Sequence, residues 1–113
     1  MMEEDMIKQM DGGVTAAQGF QAAGAAAGIK YENRKDMALV YTKEPAVAAG
    51  TFTTNVVKAA PVLWDKELIE KGRPVHAVVL NSGIANACTG EEGEENNAQM
   101  AAAVAEELSV SAQ

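Results

Sequence analysis

The run from Asn81 to Gly90, here called the polar loop (residues 81–90), carries the side chains best suited to bind a small ligand. Its amides, hydroxyls and glycines follow an apolar segment, Val75–Leu80, that is typical of a strand, and precede an acidic helix start. A loop at a strand end can present backbone donors and short side chains to a ligand at close range. The sequence therefore predicts a functional loop whose candidate site residues are Asn81, Ser82, Gly83, Asn86, Thr89 and Gly90.

The candidate nucleophiles of this loop have no evident base. Ser82 and Thr89 carry hydroxyls, which need a neighbouring base to become nucleophilic. The single histidine, His76, precedes Ser82 by six residues, which is about 20 Å along an extended strand. A Ser–His pair is therefore not expected, and His76 is better interpreted as a sheet residue. Cys88 is a candidate thiol, although a free cysteine is more often a small packed apolar residue.

The two asparagines of the loop allow two interpretations. The side-chain amides of Asn81 and Asn86 both donate and accept, so they can orient a substrate or lock the loop onto its own backbone. The acidic residues from Glu91 to Glu95 lack the ligand spacing of a calcium loop and suit the positive end of a helix. With one histidine and one cysteine, no zinc cluster is expected. Taken alone, these residues identify no reaction.

Composition narrows the class of protein. Sixteen acidic against nine basic residues give a net charge of -7, which argues against a nucleic-acid partner. No segment approaches the run of about 18 apolar residues that a membrane helix needs, and the N-terminus does not resemble a signal peptide. The single cysteine excludes an intrachain disulfide. These features predict a soluble, cytoplasmic protein.

Residues 1–11 are charged and rich in methionine, which predicts a flexible arm or short helix, and residues 12–113 form one mixed unit. The predicted class is α/β, specifically the N-terminal portion of an α/β sandwich in which helices pack on β-sheets. In 20–30, Gly24 and Gly28 lie four apart, which fits a helix contact face as well as strands; strands with close backbone approach at the glycines are favoured. The next predicted elements are a strand over 36–42, a turn at Glu44-Pro45, a returning hairpin strand over 47–54, and an extended segment over 55–62 that Pro61 confines to an edge or a break. A helix over 64–71 ended by Gly72, a strand over 75–80, and a helix from about Glu94 to Leu108 complete the prediction. Leu68 and Ile69 should face the sheet, with Asp65, Glu67 and Lys71 toward solvent.

Four segments, in order along the chain, resemble the ornithine acetyltransferase family. The polar loop resembles the family's NSGNANACTG signature and differs from it only at Ile84, where asparagine is commoner. The other three segments are residues 12–24, similar to GGVTAPxGFxAAG; residues 49–55, similar to AAGVFTTN; and residues 57–62, similar to VKAAPV. The chain thus resembles the N-terminal part of the α chain of a bacterial arginine-biosynthesis protein.

The resemblance implies a glutamate N-acetyltransferase that moves acetyl from N-acetylornithine to glutamate. Such proteins cleave themselves before a threonine, which becomes the nucleophile and forms an acetyl-threonine intermediate. That threonine and the oxyanion-hole Thr-Gly pair would lie beyond Gln113, so no catalytic residue is assigned to this chain. Thr89-Gly90 is not that pair. No cofactor is expected; some members use acetyl-CoA as a substrate, which the sequence leaves open.

The resemblance also implies partner chains. These are the remainder of the α chain and a β chain that begins with threonine, assembled as an α2β2 heterotetramer. The alternatives are a self-cleaving amidohydrolase or aminopeptidase relative, with water as the acceptor, and a non-catalytic structural fragment. The isolated 113-residue chain is expected to be inactive, and to expose a sheet edge and an apolar face.

Overall fold

A three-stranded antiparallel sheet, two α-helices and a short 3-10 helix make up the regular structure of the computed structural model, which describes residues 7–83 and 90–112. The strand order is β1-β2-β3, so β2 is central. This mixture of sheet and helix confirms the predicted α/β class. The elements are a short 3-10 helix at Val14–Ala16, β1 at Phe20–Ala25, β2 at Met37–Ala46, α1 at Ala60–Glu70, β3 at Val75–Asn81 and α2 at Gly90–Leu108.

The central strand, β2, pairs with a neighbour on each side. In β2 the run from Met37 to Thr42 pairs with β1 on one side, and its residues up to Tyr41 pair with β3 on the other. A strand flanked on both sides favours β-branched and apolar residues, as the sequence of this run indicated. Gly24 lies in β1 opposite Ala38, as predicted, whereas Gly28 lies beyond the end of that strand.

The predicted hairpin around Glu44-Pro45 is wrong. Both residues lie inside β2, which continues to Ala46 and pairs there with Val75 across an irregularity in the register. Proline lacks a donor, and an interruption of the ladder is a place where that donor is not needed. Residues 47–54 form no returning strand, because β1 and β3 already occupy both edges of β2.

The predicted extended segment over 55–62 is wrong at its C-terminal end. Helix α1 begins at Ala60, and Pro61 lies in its first turn. The first N–H groups of a helix have no intrahelical acceptor, so proline there removes no hydrogen bond, and its fixed φ suits the helix. Pro61 therefore starts a helix rather than breaking a strand.

Both helices carry the apolar stripe that their sequences predict. Leu68 and Ile69 are half-buried and line a groove beside β3, while Asp65, Glu67 and Lys71 are exposed. Helix α2 begins at Gly90, earlier than the predicted start near Glu94, with two glutamates in its first turn. Its predicted stripe is buried or half-buried; the members are Ala98, Ala101, Val104, Ala105 and Leu108.

The core of the chain is small. Among the described residues only Ala60 and Ala105 are buried apolar residues. The accessible surface is 9005 Å², against about 5,900 Å² for a compact protein of this mass. Val78 and Leu80 of β3 remain 50% and 48% exposed, so the predicted exposed apolar face is confirmed.

Candidate functional site at the end of β3

The described ends of the polar loop lie where the sequence predicted them. Asn81 is the last residue of β3, is half-buried and pairs with Met37 of β2. Ser82 and Gly83 follow it and are exposed, and Gly90 is the exposed first residue of α2. The run thus connects a strand to a helix. Asn86, Thr89 and Cys88 lie outside the described residues, so their assigned roles stay predictions.

Asp36 joins all three strands at this end of the sheet. Its backbone N–H donates to the carbonyl of Ala25, 3.0 Å away, at the end of β1. Its own carbonyl accepts from the N–H of Ser82, at 2.9 Å, just beyond β3. The residue before β2 is therefore bonded to the chain on both sides, and one of these bonds reaches the polar loop directly.

The side chain of Asp36 holds the connection between β1 and β2, here called the β1–β2 connection (residues 26–36). Its two carboxylate oxygens accept from the N–H of Ala27 at 2.7 Å and from the N–H of Ile29 at 2.9 Å. Asp36 is only 8% exposed. The hydrogen bonds from Ala27 and then Ile29 lower the pKa of this carboxyl below its ordinary value of 3.8, because they favour the charged form.

Gly83 packs closely on the same connection. A Cβ at this position would lie 3.1 Å from the Cβ of Lys30 and 3.7 Å from the Cγ2 of Ile29. The φ angle of Gly83 is 98°, a left-handed conformation that strains any residue with a side chain. Both observations explain why the loop uses glycine where it leaves the sheet.

An apolar groove of about 400 Å³ lies between α1, β3 and α2. Its lining includes the rings of Phe52 and Trp64. Its polar members include Asn97, which is 9% exposed, and His76, whose Nδ1 lies 3.2 Å from the carbonyl oxygen of Thr42. This contact ties the imidazole to the neighbouring strand and confirms His76 as a sheet residue.

The described residues form an apolar groove and the hydrogen bonds of Asp36 that hold the start of the polar loop. Among them there is no evident reaction centre. Within residues 7–83 and 90–112, no group of three or more His, Cys, Asp or Glu could hold a metal ion, and no helix is both long and apolar enough to cross a membrane. Sequence reasoning missed Asp36 and Asn97. For Asp36 a signal existed: an aspartate directly after a polar turn and before an apolar strand is well placed to accept turn N–H groups.

Comparison with known proteins supports the resemblance drawn from the four segments. The ArgJ family model matches residues 21–113. The arginine biosynthesis bifunctional protein ArgJ of Gloeobacter violaceus is 48% identical over 103 residues, which are 91% of this chain and 25% of that protein. The chain therefore spans about a quarter of the length of the curated relatives it matches.

Two solved structures share the fold. The crystal structure of ArgJ from Bacillus halodurans aligns with a TM-score of 0.83 and 40% identity, over 89% of this chain and 52% of that chain. The ornithine acetyltransferase of Mycobacterium tuberculosis, solved in complex with ornithine, aligns with a TM-score of 0.80 and 55% identity, over 86% of this chain and 50% of that chain. From the sequence match and the shared fold together, the chain belongs to the ArgJ family.

Proposed function

We propose that this chain is the N-terminal part of a glutamate N-acetyltransferase, which moves acetyl from N-acetylornithine to glutamate in arginine biosynthesis. The observation that carries the proposal is the family match over residues 21–113. The relatives are named bifunctional, which supports acetyl-CoA as a second acetyl donor. The solved structure that contains ornithine supports an ornithine-type substrate.

The proposed reaction uses a threonine that this chain does not contribute. The hydroxyl oxygen of an N-terminal threonine, with its own α-amine as base, attacks the acetyl carbonyl of N-acetylornithine. The amide C–N bond breaks, and ornithine leaves as its amine after taking up the proton. The amine of glutamate then attacks the threonine ester, the C–O bond breaks, and the threonine hydroxyl regains a proton. A Thr-Gly oxyanion hole, also outside this chain, would stabilise both tetrahedral states.

In this proposal the 113 residues supply scaffold and one wall of the site. The polar loop lies beside the substrate, and its amide and hydroxyl groups orient that substrate. The groove beside α1 and α2 packs against the rest of the protein. Because the chain carries a net charge of -7 and the substrates carry carboxylates, most of the positive binding groups would come from the other chain segments.

The proposed assembly is an α2β2 heterotetramer formed by autocatalytic cleavage, located in the cytoplasm. The test is intact-mass spectrometry and N-terminal sequencing of every chain that copurifies with this one. We expect a companion chain that begins with threonine, and a complex that transfers acetyl from N-acetylornithine to glutamate. The chain alone, with no companion and no transfer, would contradict the proposal and favour a structural fragment.

The acceptor distinguishes the acetyltransferase from a hydrolytic relative. The purified assembly is incubated with N-acetylornithine, with and without glutamate, and the products are quantified. Acetylglutamate formed in step with ornithine supports the transferase. Free acetate formed at the same rate in both reactions supports an amidohydrolase. Replacing N-acetylornithine by acetyl-CoA in the same assay tests the second donor.

A further inference from the structure

Three backbone segments meet at Asp36, and this residue bonds to each of them. The Asp36 N–H bonds to the end of β1 at Ala25, and its carbonyl bonds to Ser82 beyond the end of β3. Its carboxylate bonds to Ala27 and Ile29 in the β1–β2 connection. The two backbone bonds continue the pairing of the sheet, so any residue except proline could make them. The two carboxylate bonds require this side chain.

The carboxylate bonds place Ile29 and Lys30 against the polar loop. Ile29 is held by its N–H, and a Cβ at Gly83 would lie within 3.7 Å of its side chain and within 3.1 Å of the Lys30 Cβ. The two residues next to Gly83 are therefore Ile29, which the Asp36 carboxylate holds, and Lys30, which follows it in the chain. Buried and charged, a carboxylate that accepts two N–H bonds makes stronger hydrogen bonds than neutral groups do.

We propose that Asp36 is the positioning residue for the start of the polar loop: its buried carboxylate holds the β1–β2 connection beneath Gly83 and so fixes where residues 81–83 leave the sheet. Asparagine cannot replace it fully, because the amide nitrogen is a donor and would face an N–H group. Glutamate keeps both acceptor oxygens on a longer stem. The catalytic consequence, but not the positioning itself, rests on the proposed acetyltransferase function.

Hydrogen exchange tests the positioning directly. Exchange is followed by mass spectrometry on the chain together with any chain that accompanies it. In Asp36→Asn we expect amides in 26–30 and in 81–83 to exchange about tenfold faster, the factor that loss of one charge-assisted bond implies, with no change in 97–108 of α2. Asp36→Glu should recover part of the protection in both segments. Faster exchange in 26–30 with no change in 81–83 would overturn the proposal.

If Asp36→Asn unfolds the chain, a substitution at Gly83 tests the same contact from the side of the polar loop. Gly83→Ala leaves Asp36 intact but places a Cβ 3.1 Å from that of Lys30. We expect it to accelerate exchange in 26–30, whereas the matched control Gly19→Ala, which has a similar φ of 92° and where a Cβ meets nothing within 4 Å, should not. Unchanged exchange in 26–30 of Gly83→Ala would show that the contact does not couple the two segments.

Activity provides the second readout. In an assembly that transfers acetyl, Asp36→Asn should lower kcat/KM about 10- to 100-fold, as expected when groups that orient the substrate are misplaced, and Asp36→Glu should restore part of it. Wild-type kcat/KM in Asp36→Asn, with protection of 81–83 lost, would show that the loop has no catalytic consequence. If the wild-type assembly transfers no acetyl, the proposed function fails, while the exchange results still decide the positioning.

Discussion

The free energy of unfolding of the chain should depend on whether the Asp36 carboxyl is charged. Its folded pKa is lowered, first by the N–H of Ala27 and then by that of Ile29. A carboxyl with a lowered folded pKa contributes stability that is fully present above its unfolded pKa of about 4 and is lost as the pH falls through the folded value. The protein should therefore lose this contribution only below about pH 4.

Denaturant unfolding at several pH values measures this contribution. The difference in unfolding midpoint between wild type and Asp36→Asn should be largest near neutral pH and should shrink as the pH falls below about 4. Asp11→Asn removes the same charge from an exposed side chain and so controls for net charge. A difference between wild type and Asp36→Asn that stays constant from pH 7 to pH 3 would contradict the assignment of the effect to carboxylate bonds.

A second expectation at the scale of residues concerns the hydroxyl of Ser82. Because the proposed nucleophile lies outside this chain, Ser82→Ala should still form the acetyl-enzyme, although it should transfer acetyl more slowly because one hydroxyl that orients the substrate is lost. The assembly is incubated with N-acetylornithine in the absence of glutamate, denatured and digested, and the acetyl group is located by mass spectrometry. We expect it on the N-terminal threonine of the companion chain in both proteins. Acetyl on Ser82 of the wild type, lost in the variant, would overturn the proposed mechanism.

Individual residues were predictable to different degrees. The strand position of His76 followed from an apolar neighbourhood, and the placement of Asn81 to Gly83 at a strand end followed from the change from apolar to polar residues. The role of Asp36 was not predictable from pattern alone, because its partners Ala27 and Ser82 are brought together only by strand pairing. Local sequence indicates an acceptor there but not what it joins.

Among the elements, α1 has a defined end that can be tested. Gly72 follows the last turn with a φ of 65°, and its N–H donates to the carbonyl of Ile69 at 3.0 Å. A Cβ at this position would meet nothing within 4 Å, so Gly72→Ala adds backbone strain without a clash. We expect a loss of about 1 kcal/mol in the free energy of unfolding, measured by denaturant titration. Gly13→Ala is the control, and a loss no larger than in that variant would contradict the assigned role of Gly72.

The predicted elements failed where a local signal had two structural meanings. Pro45 indicated a turn and Pro61 a break, yet the first lies in β2 and the second in the first turn of α1. Proline restricts its own φ and removes a donor, which suits a strand irregularity and a helix start as well as a turn. The missing information is tertiary: only the strand order shows that both edges of β2 are occupied.

The whole molecule is less compact, and exposes more surface, than a typical domain of this length. Its radius of gyration is 16.1 Å, against about 13 Å for a compact domain of this length. The large side chains Val47, Val56, Val78 and Leu80 are exposed by about half or more. The relatives are about four times as long, and under the proposed function we expect the remainder of the protein to contact these surfaces.

This exposure leads to a prediction about the chain when it is purified alone. Val78 and Leu80 lie two apart on one face of β3 and should bind an apolar dye and promote self-association. In Val78→Thr/Leu80→Thr we expect weaker dye binding and less association, with the free energy of unfolding changed by less than about 1 kcal/mol, since both side chains are half-exposed. Dye fluorescence and light scattering measure the two effects.

The same variant should assemble poorly with a companion chain, whereas Lys8→Thr, at an exposed polar position, should assemble normally. Normal assembly of the β3 variant, with dye binding unchanged, would show that this face is not the surface that the rest of the protein covers.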